Sequence, residues 1–235
     1  MGVVLLHDDL PEFFPDPREY DSEGLVAASH GLGVERLISA YRQGIFPWSK
    51  MHEPPHLWCW YSPDPRMVLY PGEFKASRSL AKVLREKKFE IRINHAFPEV
   101  IKACAEVPRP GQENTWIEPD MRREYEILND LGIAHSVEAY IGEQLVGGLY
   151  GLAIGKAFFG ESMFHYRPEA SKVCMAKLIE LAKEAGLLFI DCQVPNPFLK
   201  SLGAREVKRD QFLDQLNDAC EHFPSLVNWP AKVSK

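Results

Sequence analysis

Three apolar segments near the middle of the chain, joined by very short connections, constrain the fold more than any other feature. The segments read AHSVEAYI, QLVGGLYGLAIG and KAFFGESMF, and the connections IGEQ and GK are short enough for hairpin turns. We therefore expect an antiparallel meander. The next segment, ASKVCMAKLIELAKEAG, has the spacing of an amphipathic helix that ends at Gly186, and the apolar strand LLFIDCQ follows it.

Further elements flank the meander. The segment VERLISAYRQG predicts a helix ended by Gly44, and the proline- and tryptophan-rich segment after it predicts an ordered aromatic loop. Also predicted are a strand at 89–93, helices at 97–107 and 119–131 (the latter with Met121, Tyr125, Leu128 and Leu131 inward), a helical turn in NPFLKSLGA and a final helix in RDQFLDQLNDACEHF.

The order of these elements predicts the fold class. A meander followed by strand, helix, strand and helix is the order of the GCN5-related acyltransferase fold. We therefore expect an α+β protein with two domains. A small N-terminal domain spans residues 1–62, and an acyltransferase-like domain with a mixed, largely antiparallel sheet spans residues 63–235.

Composition excludes several classes of protein. Hydrophobic residues make up 46% of the chain and charged residues 26%, which is typical of a globular protein and not of disorder, collagen or a coiled coil. No apolar run approaches the ~20 residues of a membrane span, and the first residues lack the regions of a secretory signal. Five widely scattered cysteines fit a reducing compartment. The sequence therefore predicts a cytoplasmic protein with no membrane partner.

A basic cluster stands out in a chain whose formal net charge is −6. Residues 75–92 contain seven basic residues and two acidic ones. As a helix, this segment places Arg78, Lys82 and Arg85 on one face, opposite its apolar residues. This basic face indicates either a docking place for a polyanion or a solvated helix surface.

Polar residues cluster at the end of the strand LLFIDCQ. Alternation places Asp191 and Gln193 on one face, with Asn196 just beyond. Polar groups that emerge together from an apolar strand typically line a site. A network of capping and turn contacts among the three residues is the alternative.

The strand KAFFGESMF contains an acid in an apolar setting. Glu161 must be paired or lie at the edge of a site. Alternation separates Glu161 from Phe158, so one pocket can receive both only if the strand bulges at Gly160. Four tryptophans offer flat surfaces that either stack on bases or belong to the core: Trp48, Trp58, Trp60 and Trp116.

Two cofactor motifs fail on inspection. HEPPH (52–56) matches a zinc-protease pattern, but Pro54 and Pro55 forbid the helix that this pattern needs. Acetyl-CoA-type acyltransferases hold the pyrophosphate in a glycine-rich turn between a strand and a helix, whereas the turn FHYRPEASK has no glycine. The sequence therefore predicts no metal and no cofactor.

Eight short segments occur along the chain in a characteristic order: GIFPW (44–48), WYSPDPR (60–66), TWI (115–117), AHSVE (134–138), LVGGLYG (145–151), FGESMF (159–164), IDCQ (190–193) and SLGAREV (201–207). As a set they resemble the signature segments of the leucyl/phenylalanyl-tRNA protein transferase family. The resemblance implies an aminoacyltransferase that moves Leu or Phe, and Met less well, from aminoacyl-tRNA to proteins beginning with Lys or Arg, in the bacterial N-end rule degradation pathway. It implies no cofactor, and we expect a monomer.

The resemblance also implies roles for individual residues. The positions matching Asp191, Gln193 and Asn196 line the reaction centre, and whether Asp191 is a base or an orienting group is open. Substrate contacts are implied for Trp48 and Trp116 at the terminal adenosine, for Tyr125 and Glu161 as polar groups, and for Leu149, Phe158 and Leu178 around the donor side chain. At the bottom of that pocket this chain departs from the family, which usually has Ser where His165 stands, so His165 is expected to affect donor preference. The basic face of Arg78, Lys82 and Arg85 gains the acceptor-stem phosphates as its partner. Glu161 or Asp191 is the candidate reader of the acceptor's basic side chain.

Two other functions fit parts of the sequence. A CoA-dependent N-acyltransferase of small molecules fits the order of elements, although the missing glycine turn opposes it. A non-catalytic reader of basic protein N-termini fits the acidic groups near aromatic residues.

Overall fold

The computed structural model describes residues 2–51, 53–107 and 115–221, which form two β-sheets surrounded by helices. The strands are β1 (Val4–Leu5), β2 (Leu25–Ser29), β3 (Phe46–Lys50), β4 (Trp58–Tyr61), β5 (Arg66–Leu69), β6 (Glu90–Ile93), β7 (Ala134–Ile141), β8 (Gln144–Ile154), β9 (Ala157–His165), β10 (Phe189–Gln193) and β11 (Arg205–Val207). The helices are α1 (Val34–Arg42), α2 (Arg78–Glu86), α3 (Phe97–Glu106), α4 (Pro119–Asp130), α5 (Ala170–Glu184), α6 (Pro197–Ser201) and α7 (Arg209–Cys220). No helix within these ranges is long and apolar enough to cross a membrane.

The larger sheet, as far as the chain is described, has seven strands in the order β11-β5-β10-β9-β8-β7-β6. Strands β7, β8 and β9 form the expected antiparallel meander. After α5, the strand β10 lies parallel to β9, and the other pairs are antiparallel. The predicted α+β class with a mixed, largely antiparallel sheet is confirmed. The smaller sheet, β1-β2-β4-β3, comes from residues before Ser62.

Helix ends follow the signals in the sequence, with one exception. Gly44 and Gly186 follow α1 and α5 with φ values of 73° and 67°, which glycine adopts without strain. In α4, Met121, Tyr125 and Leu128 are buried as expected. Leu131 was expected to face inward, but it is 60% exposed because the helix ends at Asp130.

The expected aromatic loop after α1 is instead a hairpin of β3 and β4, so this expectation is wrong. Pro47 is compatible with β3 because that strand is at the edge of its sheet, where a missing N–H need not break a ladder. Trp58 and Trp60 lie in β4 and are fully buried. The prolines on both sides of β4 obscured its strand pattern. The strands β1, β2, β5 and β11 were not predicted from the sequence, because they are only two to five residues long.

The core consists of two hydrophobic clusters. Phe158 and Phe159, neighbours on β9, belong to different clusters, as expected for opposite faces of one sheet. The cluster of Phe159 continues into the smaller sheet through Phe46 and Trp60. Residues on both sides of the predicted domain boundary near Ser62 therefore share a core, and the boundary stays a prediction.

Three β-bulges place an extra residue at or beside the predicted site residues of β3, β9 and β10. The extra residue is Trp48 in β3, Glu161 in β9 and Cys192 in β10, and Gln193 has a φ of 63°. A bulge turns a side chain away from simple alternation. The bulge considered at Gly160 is present one residue later, at Glu161, whose carboxylate accepts a hydrogen bond from Tyr125 in the hydrophobic cluster of Phe159, not in that of Phe158.

Candidate active site

A cavity of about 430 Å³ lies over β8, β9 and β10 and is bordered by α5, α6 and β3. Its wall is formed by Trp48, Trp116, Leu149, Tyr150, Phe158, Gly160, Glu161, Ser162, Met163, Met175, Leu178, Ile190, Cys192, Gln193, Val194, Asn196, Phe198 and Leu199. Most of the predicted site residues are therefore together on one wall. Asp191, Tyr125 and His165 are not among the residues that line it.

One side of the cavity is apolar. Met175 and Leu178 reach it from α5, Leu149 from β8 and Phe158 from β9. All four are buried, and they belong to the same hydrophobic cluster. This side of the cavity suits an apolar side chain, because burying an apolar group is favourable and leaves no polar atom without a hydrogen bond.

Glu161 contributes a carboxylate to the wall, with 8% of its surface exposed. Gln193 Nε2 donates to Glu161 Oε1 at 2.7 Å, and the Tyr125 hydroxyl donates to Oε2 at 3.1 Å. The Tyr125 hydroxyl also hydrogen-bonds that of Tyr41. Burial raises the pKa of Glu161 to about 7; the charge of Asp191 also raises it, and the hydrogen bonds oppose the rise. Glu161 can therefore gain or lose a proton near neutral pH.

Gln193 reaches the cavity because its backbone leaves the strand conformation. Its φ of 63° is rare for a residue with a side chain, and its N–H donates to Asp191 Oδ1 at 2.9 Å. Ile190 and Cys192 line the cavity, whereas Asp191 does not. The expectation that Asp191 and Gln193 share a face by alternation is wrong, because the bulge at Cys192 intervenes.

Asp191 is fully buried and pairs with Arg66, a residue that sequence reasoning missed. Arg66 Nε and Nη2 donate to Asp191 Oδ1 and Oδ2 at 2.8 and 2.7 Å. The guanidinium carbon lies 4.7 Å from the ring centroid of Phe46 and 4.5 Å from that of Phe212. A usable signal existed: an aspartate within an apolar strand requires a partner, and Arg66 ends the segment WYSPDPR.

Asn196 has two roles in this geometry. It lines the cavity, and its Oδ1 accepts hydrogen bonds from the backbone N–H groups of Phe198 and Leu199 at 2.9 and 3.2 Å. The capping alternative is therefore correct for Asn196. The cap fixes its side chain at the start of α6.

The four tryptophans separate into two classes. Trp48 and Trp116 line the cavity, and Trp48 is 38% exposed and packs edge-on against Tyr61 at 5.5 Å. Trp58 and Trp60 are fully buried, so they belong to the core. Only the first pair can present a ring face to a bound molecule.

His165 requires a correction. It is exposed at the end of β9, opposite Gly147, and does not line the cavity, so the implied place at the bottom of the donor pocket is not supported. Met163, two residues earlier, lines the wall instead. Cys192 also lines the wall, but burial raises the pKa of its thiol above the usual range, which disfavours the thiolate.

The basic residues of α2 lie apart from the cavity wall. Arg78, Lys82 and Arg85 are exposed, whereas Leu80 on the same helix is fully buried. Lys82 makes an ion pair with Glu86 at 3.7 Å. The helix therefore presents the expected basic face to solvent.

Comparison with known proteins places this chain in a class of aminoacyltransferases. The family model described as leucyl/phenylalanyl-tRNA protein transferase matches residues 68–217, and the model of its N-terminal domain matches residues 32–64. The chain belongs to this family, as its sequence segments indicated, and the predicted aminoacyltransferase class is confirmed.

Relatives in this family match nearly the whole chain. The leucyl/phenylalanyl-tRNA–protein transferase of Azotobacter vinelandii (strain DJ / ATCC BAA-1303) is 49% identical over 97% of this chain and 100% of its own length. That of Dechloromonas aromatica (strain RCB) is 50% identical over 84% of this chain and 83% of its own. Among solved structures, a GCN5-related N-acetyltransferase-like protein from Streptococcus suis 89/1591 aligns with a TM-score of 0.36 at 14% identity, over 77% of this chain and 68% of that one. This last likeness is too low to carry an argument.

Replacing Arg66 should expose the dependence of the site on its ion pair. Arg66→Met leaves the buried carboxylate of Asp191 without its cation, so the free energy of unfolding should fall by about 3–5 kcal/mol in urea denaturation. The double variant Arg66→Met/Asp191→Leu removes both charges and should recover much of that loss. A single variant as stable as the parent, or a double variant less stable than Arg66→Met, would contradict this account.

Proposed function

We propose that the chain transfers Leu or Phe, and Met less well, from aminoacyl-tRNA to the N-terminal Lys or Arg of acceptor proteins, and that the cavity is the reaction site. One observation carries the proposal: the hydrogen-bonded pair of Glu161 and Gln193 lies in a cavity that also has an apolar side and two tryptophans. Membership in the family supports transfer from tRNA to protein. The products would enter the N-end rule pathway.

The reaction needs positioning and the movement of one proton. The α-amine nitrogen attacks the ester carbonyl carbon, a C–N bond forms, and the bond to the 3′ oxygen of the terminal adenosine breaks. The proton lost by nitrogen ends on that oxygen. Because an α-amine has a reference pKa of ~7.7–8.0, roughly a tenth or more is already free base at pH 7. A strong base is therefore unnecessary.

Gln193 is suited to hold the attacking amine. Its Nε2 donates to Glu161, which leaves its Oε1 as the atom that accepts a hydrogen bond from the amine. With one N–H held there, the nitrogen lone pair can be aimed at the ester carbonyl. Position rather than basicity is the contribution of Gln193.

Glu161 is suited to accept the proton. It lines the cavity, and its pKa of about 7 lets it take a proton from the amine and return it to the 3′ oxygen at neutral pH. Asp191 acts as an orienting group and not as the base, because Arg66 holds both of its oxygens and Gln193 N–H donates to one of them. Tyr125 holds the second oxygen of Glu161 from behind the wall.

The acceptor's positive charge also points to Glu161. Sequence reasoning left Glu161 and Asp191 as candidates, and Asp191 is occupied by Arg66. Among the described residues that line the cavity, Glu161 carries the acidic group. Its negative charge would favour an acceptor that begins with Lys or Arg.

The donor would occupy the rest of the cavity. Its side chain would lie against Leu149, Phe158 and Leu178, and its terminal adenosine between Trp48 and Trp116. An apolar pocket discriminates weakly, by ~1–3 kcal/mol for each misfitted methylene, so Met is tolerated. Phosphates of the tRNA would meet the exposed basic face of α2.

A CoA donor fits this structure less well. The turn between β9 and α5 has no glycine, and Glu169 precedes the first residue of α5. A carboxylate there disfavours a pyrophosphate at the helix N-terminus.

A non-catalytic reader of basic N-termini would need no pocket for a donor, whereas the apolar side of the cavity offers one.

Location and assembly complete the proposal. A cytoplasmic enzyme fits the five cysteines, all of them free thiols. For the assembly, we propose a monomer.

The transfer reaction is the direct test. The chain should move Leu and Phe, and Met more slowly, from their tRNAs to a peptide beginning with Arg. A peptide that differs only in beginning with Ala should stay unmodified, because it lacks the basic side chain. Mass spectrometry measures both. No transfer to the Arg peptide under conditions in which a family member works would overturn the proposal, and equal transfer to the Ala peptide would overturn its acceptor part.

The pH dependence should report Glu161. Its carboxylate form is the proton acceptor, so kcat/KM should rise with pH through an inflection near 7, followed by a second inflection from the acceptor amine. Glu161→Gln should lower kcat by about 100-fold or more and remove the first inflection. Tyr125→Phe keeps the carboxylate but removes a hydrogen bond that lowers its pKa, so the first inflection should move to higher pH. An unchanged inflection in Glu161→Gln would assign it to another group.

The basic face of α2 can be tested with a matched pair of lysines. Lys82 and Lys102 each pair with a glutamate one turn later, at 3.7 and 3.9 Å, but only Lys82 lies on α2. Lys82→Ala should weaken tRNA binding and reduce the slope of log affinity against log salt by about 0.7–0.9 for one lost phosphate contact, and Lys102→Ala should not. Replacing Arg78 and Arg85 as well should reduce the slope further. An unchanged slope in the triple variant would place the tRNA elsewhere.

A further inference from the structure

The two tryptophans of the cavity come from different elements that one ion pair joins. Trp48 is the bulged residue of β3, and Trp116 precedes α4 by three residues. Lys50, two residues after Trp48, donates from Nζ to Oδ2 of Asp120 at 2.6 Å. Asp120 lies in the first turn of α4, four residues after Trp116. The ion pair therefore links β3, which carries Trp48, to α4, which Trp116 precedes.

Further contacts hold this ion pair in place. Trp58 Nε1 donates to the same oxygen of Asp120 at 3.1 Å, and Lys50 Nζ lies 5.2 Å from the Trp58 ring centroid. Trp58 is fully buried, so it anchors the pair to the core of the smaller sheet. The side chains of Lys50 and Asp120 are 25% and 33% exposed. Burial alone would raise the pKa of Asp120, but hydrogen bonds from Lys50 and Trp58 hold it below its usual value.

We propose that Lys50 and Asp120 are positioning residues that set the separation of Trp48 and Trp116, and thereby the fit of the donor's terminal adenosine. The inference rests on the proposed function. Stacking weakens steeply when a ring face moves away from a base, because its dispersion contacts are short-ranged. Loosening the ion pair lowers the affinity for the donor and leaves the Glu161–Gln193 pair unchanged. The KM for aminoacyl-tRNA should therefore change, and kcat should not.

The test combines charge-removing variants with a matched control. Asp120→Asn, Lys50→Met and the double variant each break the ion pair, and Lys50→Arg keeps it. Glu143→Gln removes a carboxylate that pairs with Arg92 on β6, at the far edge of the larger sheet. Two experiments are made: steady-state kinetics with Phe-tRNA give KM and kcat, and quenching of tryptophan fluorescence gives the Kd of a stable amide analogue of 3′-phenylalanyl adenosine. The analogue has no phosphate, so the basic face of α2 does not contribute.

A positioning role gives a specific pattern. Asp120→Asn and Lys50→Met should raise the KM and the Kd of the analogue by about three- to fivefold, the size expected for a partly exposed ion pair, with kcat within about twofold. The double variant should be no worse than either single variant, because both remove the same interaction. Lys50→Arg and Glu143→Gln should bind as the parent does.

Two other patterns would overturn the inference. A lower melting temperature with unchanged KM and Kd in both single variants would make the pair purely structural, while the proposed function stands. A parent protein that does not bind the analogue at all would remove the adenosine site, and with it both this inference and the proposed function.

Discussion

The guanidinium of Arg66 contacts the smaller sheet, α7 and β10, the strand that carries Asp191 and Gln193. It donates to the carbonyl of Gly44 at 3.1 Å, lies between the rings of Phe46 and Phe212, and makes two hydrogen bonds to Asp191. A buried ion pair of this kind is weak grounds for claiming net stability, because desolvation offsets much of the attraction. Its two parallel hydrogen bonds, however, allow one geometry, and that geometry fixes the end of β10.

From this ion pair a chain of hydrogen bonds extends to the cavity and beyond it. Asp191 accepts a hydrogen bond from the backbone N–H of Gln193, and the side chain of Gln193 donates one to Glu161. Glu161 also accepts a hydrogen bond from the hydroxyl of Tyr125, which in turn hydrogen-bonds the hydroxyl of Tyr41 on α1. An unpaired polar group is costly at such depth, so each member depends on its neighbours. The amide of Gln193 and the carboxylate of Glu161 are therefore oriented before any substrate arrives. Such preorganisation can raise the reaction rate even when the reaction needs no strong base.

The sequence predicted what depends on local patterns and missed what depends on bulges and distant pairs. Short connections determine the meander, and helical spacing with Gly186 determines α5, so both were predictable. The orientation of Asp191 was not, because one extra residue in β10 reverses the parity on which alternation depends. Arg66 lies 125 residues from Asp191, and only the antiparallel pairing of β5 with β10 brings them together. Trp48 and Trp58 have the same side chain, but Trp48 is the extra residue of the bulge in β3 and lines the cavity, whereas Trp58 lies in β4 and is fully buried.

The burial of Glu161 links the requirements of the site to the stability of the fold. The pKa of this carboxyl is about 7 in the folded chain, above the value of 4.5 that is usual for a glutamate in water, so between pH 4.5 and 7 the folded state is more protonated at this group than the unfolded state is. The stability that this protonation contributes is present below pH 4.5 and is lost as the pH rises through 7. The loss is on the order of 3 kcal/mol, since one pKa unit corresponds to about 1.4 kcal/mol. An isosteric amide at this position would avoid that loss, but it could not exchange the proton. The same burial that makes Glu161 a suitable proton acceptor at neutral pH therefore makes it a destabilising residue there, and the surrounding hydrogen bonds limit that cost.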